Sequence, residues 1–279
     1  MTNDAQMNAD FSGLACWVIS LNSETPNSTR LLNALRQQGL NAGFFSAVDG
    51  RQAMPLLEGG ERFCHNLALV RHGRQMTGGE VGCYLSHLRA VKMAYREGYQ
   101  HLCIIEDDVV IEPLFGEVVR SLLDKNLDMV RLMSLKVRRR KVLTTLAGEH
   151  QLVRPERGGL GTQAYLLSRA GMEKFIQHAN TIYEPIDKVF DHFWLFDLKV
   201  YAVEPHVAYE LLQETSVAKS LALGQAKLGV HYRVAQPFVK LYFSLRRHLY
   251  LNLHRAEFYP AAMPEASPGK SQRQRWKKR

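Results

Sequence analysis

The stretch HLCIIEDDVVIEP, residues 101–113, sets four apolar residues, Leu102, Cys103, Ile104 and Ile105, directly against three acids, Glu106, Asp107 and Asp108. A short apolar run without polar alternation fits a strand covered on both faces, the situation inside a parallel sheet. Three carboxylates cannot follow such a strand into the interior, because each would lose its hydration without a partner. They therefore mark the strand's C-terminal edge, and in open α/β sheets that edge is where ligands bind. Residues two apart on extended chain point the same way, so Glu106 and Asp108 can share a hard divalent cation while Asp107 faces elsewhere. Spacing alone leaves a solvated acidic loop open as the alternative.

Upstream, LACWVISL (14–21) reads as a strand and NSETPNS (22–28) as a loop. Residues 29–39 follow as a helix with Leu31, Leu32 and Leu35 at helical spacing, and 41–48 as a second strand closed by Asp49 and Gly50. A strand, helix and strand in that order predict parallel pairing, because parallel strands need a long crossover. Residues 77–99, TGGEVGCYLSHLRAVKMAYREGY, form a helix with glycines at its entry and Leu85, Leu88, Val91 and Ala94 on one side. Further along come a helix at 114–123, a strand at 127–135, and a basic run at 136–141 that opens a hairpin or loop. A helix capped by Ser168, an aromatic patch with Phe190, Phe193, Trp194 and Phe196, and a strand at 199–203 follow. The expected fold is α/β, with a central, mostly parallel sheet flanked by helices.

The 279 residues are 46% hydrophobic and 23% charged, an ordinary globular composition. The net charge is +9, but residues 237–279 alone carry +8 and the first 236 residues only +1. A nearly neutral body argues against a duplex-binding module, whose basic surface sits within the fold. No run approaches the ~18 apolar residues of a membrane span, and residues 1–13 lack the basic and apolar regions of a leader, so the chain is expected in the cytoplasm. The four cysteines, Cys16, Cys64, Cys83 and Cys103, form no CxxC and read as buried reduced thiols. Expected organisation is a flexible N-terminus (1–13), one large domain (14–236), an amphipathic basic helix (237–259) and a disordered basic tail (260–279).

With AVDG, GGEVGCYLSH, the strand-end EDD, GTQAYLLSRAG and PID in this order, the sequence resembles glycosyltransferase family 25, over roughly residues 16–216. That family comprises lipooligosaccharide galactosyltransferases related to collagen galactosyltransferases. The resemblance implies a GT-A-like fold and transfer of galactose, or glucose, from a UDP-sugar with inversion. It makes Asp108 the expected ligand of Mn²⁺ or Mg²⁺, with Glu106 reaching the ribose or a metal-bound water. Asp107 joins the donor site. A divalent ion neutralises charge developing on the leaving diphosphate.

Inversion needs a base opposite the leaving group, and Asp187 in YEPID is the candidate, with Asp191 and Glu184 as runners-up. A helix N-cap is the bland role for Asp187. Gly79 is expected to allow close backbone approach at a helix N-terminus, with Glu80, Ser86 and His87 on the donor. Arg30 fits an arginine near the nucleotide, and Asp49 a turn residue first and a uridine or ribose contact second. The run KVRRRK (136–141) is either a solvated loop or a collector of an anionic acceptor. The implied acceptor is a lipid-linked oligosaccharide, and the basic C-terminal segment suits an anionic membrane surface. That places the enzyme peripherally on the inner face of a bacterial inner membrane. Competing readings are a nucleic-acid-binding protein using the tail and a metal-dependent phosphohydrolase using the same acids.

Overall fold

The computed structural model describes residues 11–211 and 229–264. Its strands are β1 (Leu14–Ser20), β2 (Ala42–Ser46), β3 (Arg62–Phe63), β4 (His101–Glu106), β5 (Val109–Ile111) and β6 (Met129–Arg131). These are followed by β7 (Arg140–Thr145), β8 (Gln151–Pro155), β9 (Ala164–Ser168), β10 (Thr181–Ile182), β11 (Val200–Glu204) and β12 (Ala208–Glu210). The helices are α1 (Pro26–Gln37), α2 (His65–His72), α3 (Gly78–Arg96), α4 (Phe115–Leu123), α5 (Arg169–Ala179), α6 (Ile186–Asp191), α7 (Val230–Leu253) and α8 (Arg255–Phe258).

Local chemistry sets the helix starts. Thr25 caps α1, with Pro26 in the first turn, where its missing N–H costs nothing. Thr77 and Glu80 close a reciprocal capping box on α3, and Ser168 caps α5 through Gly171 N–H. Each such cap is worth about 0.5–2 kcal/mol.

Eight strands form the central sheet in the order β2-β1-β4-β9-β6-β11-β8-β7. β1, β2, β4, β6, β11 and β7 point one way, and only β9 and β8 are reversed. The sheet is thus mostly parallel in strand direction, yet antiparallel contacts flank both reversed strands. β4 is buried on both faces, as its composition requires: Leu102 and Ile104 belong to one apolar layer, Cys103 and Ile105 to the other. The first layer takes Val81 and Leu85 of α3, Phe175 of α5 and Phe190 of α6. Leu31 and Leu35 of α1 with Phe115 and Val118 of α4 fill the second.

Three boundaries depart from the sequence reading. Residues 11–13 of the expected flexible N-terminus form a turn, with Phe11 buried beneath the Arg120 guanidinium; residues 1–10 lie outside the described residues. The C-terminal helix begins at Val230, not 237, and runs through Pro237. Proline favours a helix start, but here it sits on the exposed side, where water can serve the carbonyl that loses its partner. That helix stops at Leu253, and α8 then turns Phe258 fully into the core. Of the expected disordered tail, residues 260–264 are ordered against the sheet edge, where Arg140 and Ala262 exchange both backbone hydrogen bonds, at 3.0 and 3.1 Å. Residues 265–279 lie outside the described residues.

Candidate functional site

Because β1, β4 and β6 run the same way, their last residues, Ser20, Glu106 and Arg131, come to one edge of the sheet. β9 is reversed and enters from that edge, so residues 161–163 join them. The acid triplet sits there as the sequence required, and its three members have different partners.

Asp107 accepts a short hydrogen bond from the Ser20 hydroxyl, which ties the end of β4 to the end of β1. Glu106 accepts from Thr162 Oγ1 at 2.8 Å and faces His87 Nε2 at 3.4 Å. Burial alone would raise its carboxyl, but hydrogen bonds from His87 and then Thr162 overcome this and hold it below the ordinary carboxylate range. Asp108 has less help, a single backbone hydrogen bond from its own residue. Burial, then the charges of Glu106, Glu210 and Asp107, push its pKa up to about 8, and its Oδ1 is buried with no hydrogen-bond partner. A carboxylate crowded by other acids and short of a donor is what a divalent cation satisfies, so the residues present fit Mn²⁺ or Mg²⁺ at Asp108.

Cys83 of α3 is the hub of the cluster. Burial pushes its thiol well up, and the next contributions come from Glu106, Asp187, Asp108 and Glu80 in that order. The acids at the end of β4 and Asp187 on α6 therefore lie near enough to Cys83 for their charges to act on it. Asp187 is no N-cap: the cap position is Pro185, with no side-chain hydrogen bond. Burial first, then Asp191, raises its carboxyl, against the opposing pull of Lys188 and Arg131.

Both runners-up are committed elsewhere. Glu184, fully buried, accepts from His192 Nδ1 at 2.8 Å and pairs with Arg71 at 3.3 Å. Asp191 holds Arg131 Nη2 at 2.8 Å and takes Leu160 N–H at 3.2 Å. Gly158 leaves room for that carboxylate, since a Cβ there would lie 1.9 Å from Asp191 Oδ1.

Several expected donor contacts take structural roles instead. At the start of α3 the chain itself comes close at Gly78 and Gly82: added Cβ atoms would fall 2.4 Å from Gly50 O and 2.6 Å from Val48 O. Ser86 receives Val48 N–H at 2.8 Å and donates to Gly82 O, so it anchors the 48–50 loop rather than a ligand. Glu80 is occupied by its capping box and by Arg74 at 2.6 Å. Asp49 is exposed, and its side-chain hydrogen bond with Arg51 lowers its pKa to about 2, consistent with the turn role expected first. Arg30 is exposed on α1, and its charge acts on Tyr209. His87 does reach the site, from beneath: it is buried and its Nδ1 meets Tyr165 Oη at 2.9 Å.

The basic run is spent on structure. Arg138 donates to Gly158 O, Arg139 to Ala261 O, Arg140 to Glu204 and Ala262 O, and Lys141 to Ala256 O. It fastens residues 256–262 to the sheet and leaves little to gather an anionic acceptor. Sequence reasoning missed Cys83, Arg131, Thr162 and Tyr165. The i, i+4 spacing of Cys83 and His87, and a lone arginine in the apolar segment LDMVRLMSL (127–135), were the available signals.

A mixed α/β sheet whose aligned strands end in a carboxylate-lined edge with a starved acid defines an α/β protein with a candidate cation site. Residues 14–190 match the family described as "Glycosyltransferase family 25 (LPS biosynthesis protein)", and the chain belongs to that family. It is 34% identical over 110 residues to a "Glycosyltransferase 25 family member" of Aedes aegypti, covering 39% of this chain and 18% of that one. It is 24% identical over 215 residues to "Procollagen galactosyltransferase 1" of Danio rerio, covering 69% and 35%. It is 28% identical over 228 residues to "Probable inactive glycosyltransferase 25 family member 3" of Rattus norvegicus, covering 69% and 37%. The chain thus spans between about a fifth and two fifths of the length of these relatives.

Proposed function

We propose that the protein is a metal-dependent, inverting glycosyltransferase of GT-A-like fold that moves galactose, or glucose, from a UDP-sugar to a lipid-linked oligosaccharide of the lipopolysaccharide core type. The observation that carries this reading is the buried, unpartnered Asp108 Oδ1 among like charges at the sheet edge. Membership of family 25 and the galactosyltransferase relative support glycosyl transfer, and the family's description supports the acceptor class. Asp108 is the residue that holds Mn²⁺ or Mg²⁺, with Glu106 oriented beside it by Thr162 and His87. The cation supplies charge neutralisation for the departing UDP. Asp187 takes the proton of the acceptor hydroxyl on its carboxylate. A base raised toward working pH suits that task better than an ordinary carboxylate does.

The purified protein is incubated with UDP-galactose or UDP-glucose, Mn²⁺ and a core oligosaccharide acceptor, and UDP release is followed. Release is expected with one donor, is lost in excess EDTA, and falls by about 10²–10³-fold in Asp108→Asn, the loss of a major charge-stabilising contact. Undiminished turnover in that variant or in EDTA would remove the metal role. Inorganic phosphate release without an acceptor would favour the phosphohydrolase.

The same reading places the enzyme peripherally on the cytoplasmic face of an anionic membrane. α7 rests on the body through Phe243, Tyr250 and Leu251, while Val234, Phe238, Leu241, Leu245 and Leu249 are exposed. Arg233, Lys240 and Arg246 are also exposed on α7, and the helix carries no acid. An apolar face flanked by bases is the pattern of an interfacial helix. Phe238 and Leu245 are 68% and 60% exposed, so Phe238→Glu with Leu245→Glu is expected to spare the fold. Binding to phosphatidylserine vesicles in a flotation assay should fall at least about tenfold. Unchanged flotation would sink the membrane assignment.

A further inference from the structure

We propose that Cys83, His87 and Glu106 form a binding site for a thiophilic divalent cation of the zinc class, distinct in ligand chemistry from the hard-ion position at Asp108. Cys83 and His87 are one helical turn apart on α3 and project from the same face. Glu106 meets them from the end of β4. One sulfur, one imidazole nitrogen and one carboxylate oxygen of these residues all lie within 4.8 Å of one another. Thiolate, imidazole and carboxylate with a fourth position open are the ligand set of a zinc site, and the thiolate disfavours Mg²⁺, Ca²⁺ and Mn²⁺.

The surroundings of His87 point the same way. Its Nδ1 is engaged with Tyr165 Oη at 2.9 Å, which leaves Nε2 turned to Glu106 Oε1 at 3.4 Å. A cation between them takes the place of the Nε2–H···Oε1 hydrogen bond: the ring proton moves to Nδ1, where Tyr165 Oη accepts it, and Nε2 and the carboxylate both become ligands. A hydrogen bond on the distal ring nitrogen is also how metal-binding histidines are oriented and made more basic. Thr162 performs the same service for Glu106, donating to the carboxylate at 2.8 Å. Binding ionises the thiol: the S–H bond breaks, sulfur keeps the electron pair as a metal ligand, and the proton passes to solvent.

Glu106 belongs to both sites. An ion held with Cys83 would withdraw that carboxylate from the neighbourhood of Asp108 and set a positive charge beside it, a consequence that rests on the transferase reading, whereas the site itself does not.

The full chain, stripped of metal, is titrated with Cd²⁺, whose thiolate charge-transfer absorption reports sulfur ligation, and with Zn²⁺ against a chromogenic chelator. The expected result is a band that saturates near about one equivalent, is displaced by Zn²⁺, and is accompanied by proton release in weak buffer. Cys83→Ser and Cys83→Ala should abolish the band and weaken Zn²⁺ at least about a hundredfold, and Tyr165→Phe should weaken it about tenfold. Asp108→Asn should keep the band, so that loss of the hard-ion position and loss of this one are read separately. A band that persists in both Cys83 variants, arising from Cys16, Cys64 or Cys103, would overturn the assignment. So would absence of Zn²⁺ binding in the unaltered protein, or a loss in Asp108→Asn as large as in Cys83→Ser.

Discussion

Arg131→Met lowers the stability of the fold by about 3–5 kcal/mol, the usual cost of leaving one member of a buried ion pair alone. Arg131 is 1% exposed at the end of β6. Its two terminal nitrogens hold Asp191 Oδ1 and the carbonyl of Gly161. Methionine fills most of the volume and supplies neither donor. Asp191 would keep Leu160 N–H alone, in a pocket that Gly158 closes so tightly that no Cβ fits. The carboxylate, only 11% exposed, loses its charged partner, and most of the desolvation cost falls on the variant. Adding Asp191→Leu should return much of the loss, because removing both partners leaves no orphaned charge. Urea unfolding of the two variants measures the difference. A loss below about 1 kcal/mol in Arg131→Met would mean that the pair is hydrated in solution.

Asp187→Asn should leave UDP binding intact and reduce transfer by about 10²–10⁴-fold, the range for loss of a general base. The same variant should unfold no more easily than the unaltered chain, and slightly less easily toward alkaline pH. Burial and Asp191 raise the Asp187 carboxyl above its ordinary value. A carboxyl raised in the folded state costs stability as pH climbs from its unfolded value through its folded one, and asparagine removes that cost. For the rate the sign is reversed: only the carboxylate accepts a proton, so transfer should fall as pH drops through the raised pKa. A purely structural Asp187 would give the opposite pattern, a lower melting temperature with transfer per folded molecule preserved.

Much of the architecture was legible because it is written in short-range chemistry. The strand at 102–105 announces its burial by four apolar residues and its end by three acids. Ser168 announces the start of α5, and the opening strand, helix and strand announce parallel pairing. The reversed strands β8 and β9 were not legible, since a both-face-buried strand has the same composition in either direction. Within GGEVGCYLSH the polar residues drew the functional assignments, yet Glu80 and Ser86 are consumed by the helix start and by the 48–50 loop, and Cys83 faces the acids. A helix turns about 100° per residue, so which of these side chains meets the strand end is fixed by how α3 lies on the sheet. Pro237 misled for a related reason: a proline marks a helix start only when nothing upstream continues the helix.

The bridge between Arg140 and Ala262 also bears on how the protein behaves in a crowded solution. β7 is the last strand of the sheet, and an uncovered last strand offers unpaired N–H and C=O groups to any passing chain. Here the returning C-terminal segment occupies part of that row, and the charged side chains of Arg139, Arg140 and Lys141 fasten it in place. The segment thus works as an edge guard, and shortening the chain before residue 255 would bare a strand able to recruit another molecule into one continuous sheet.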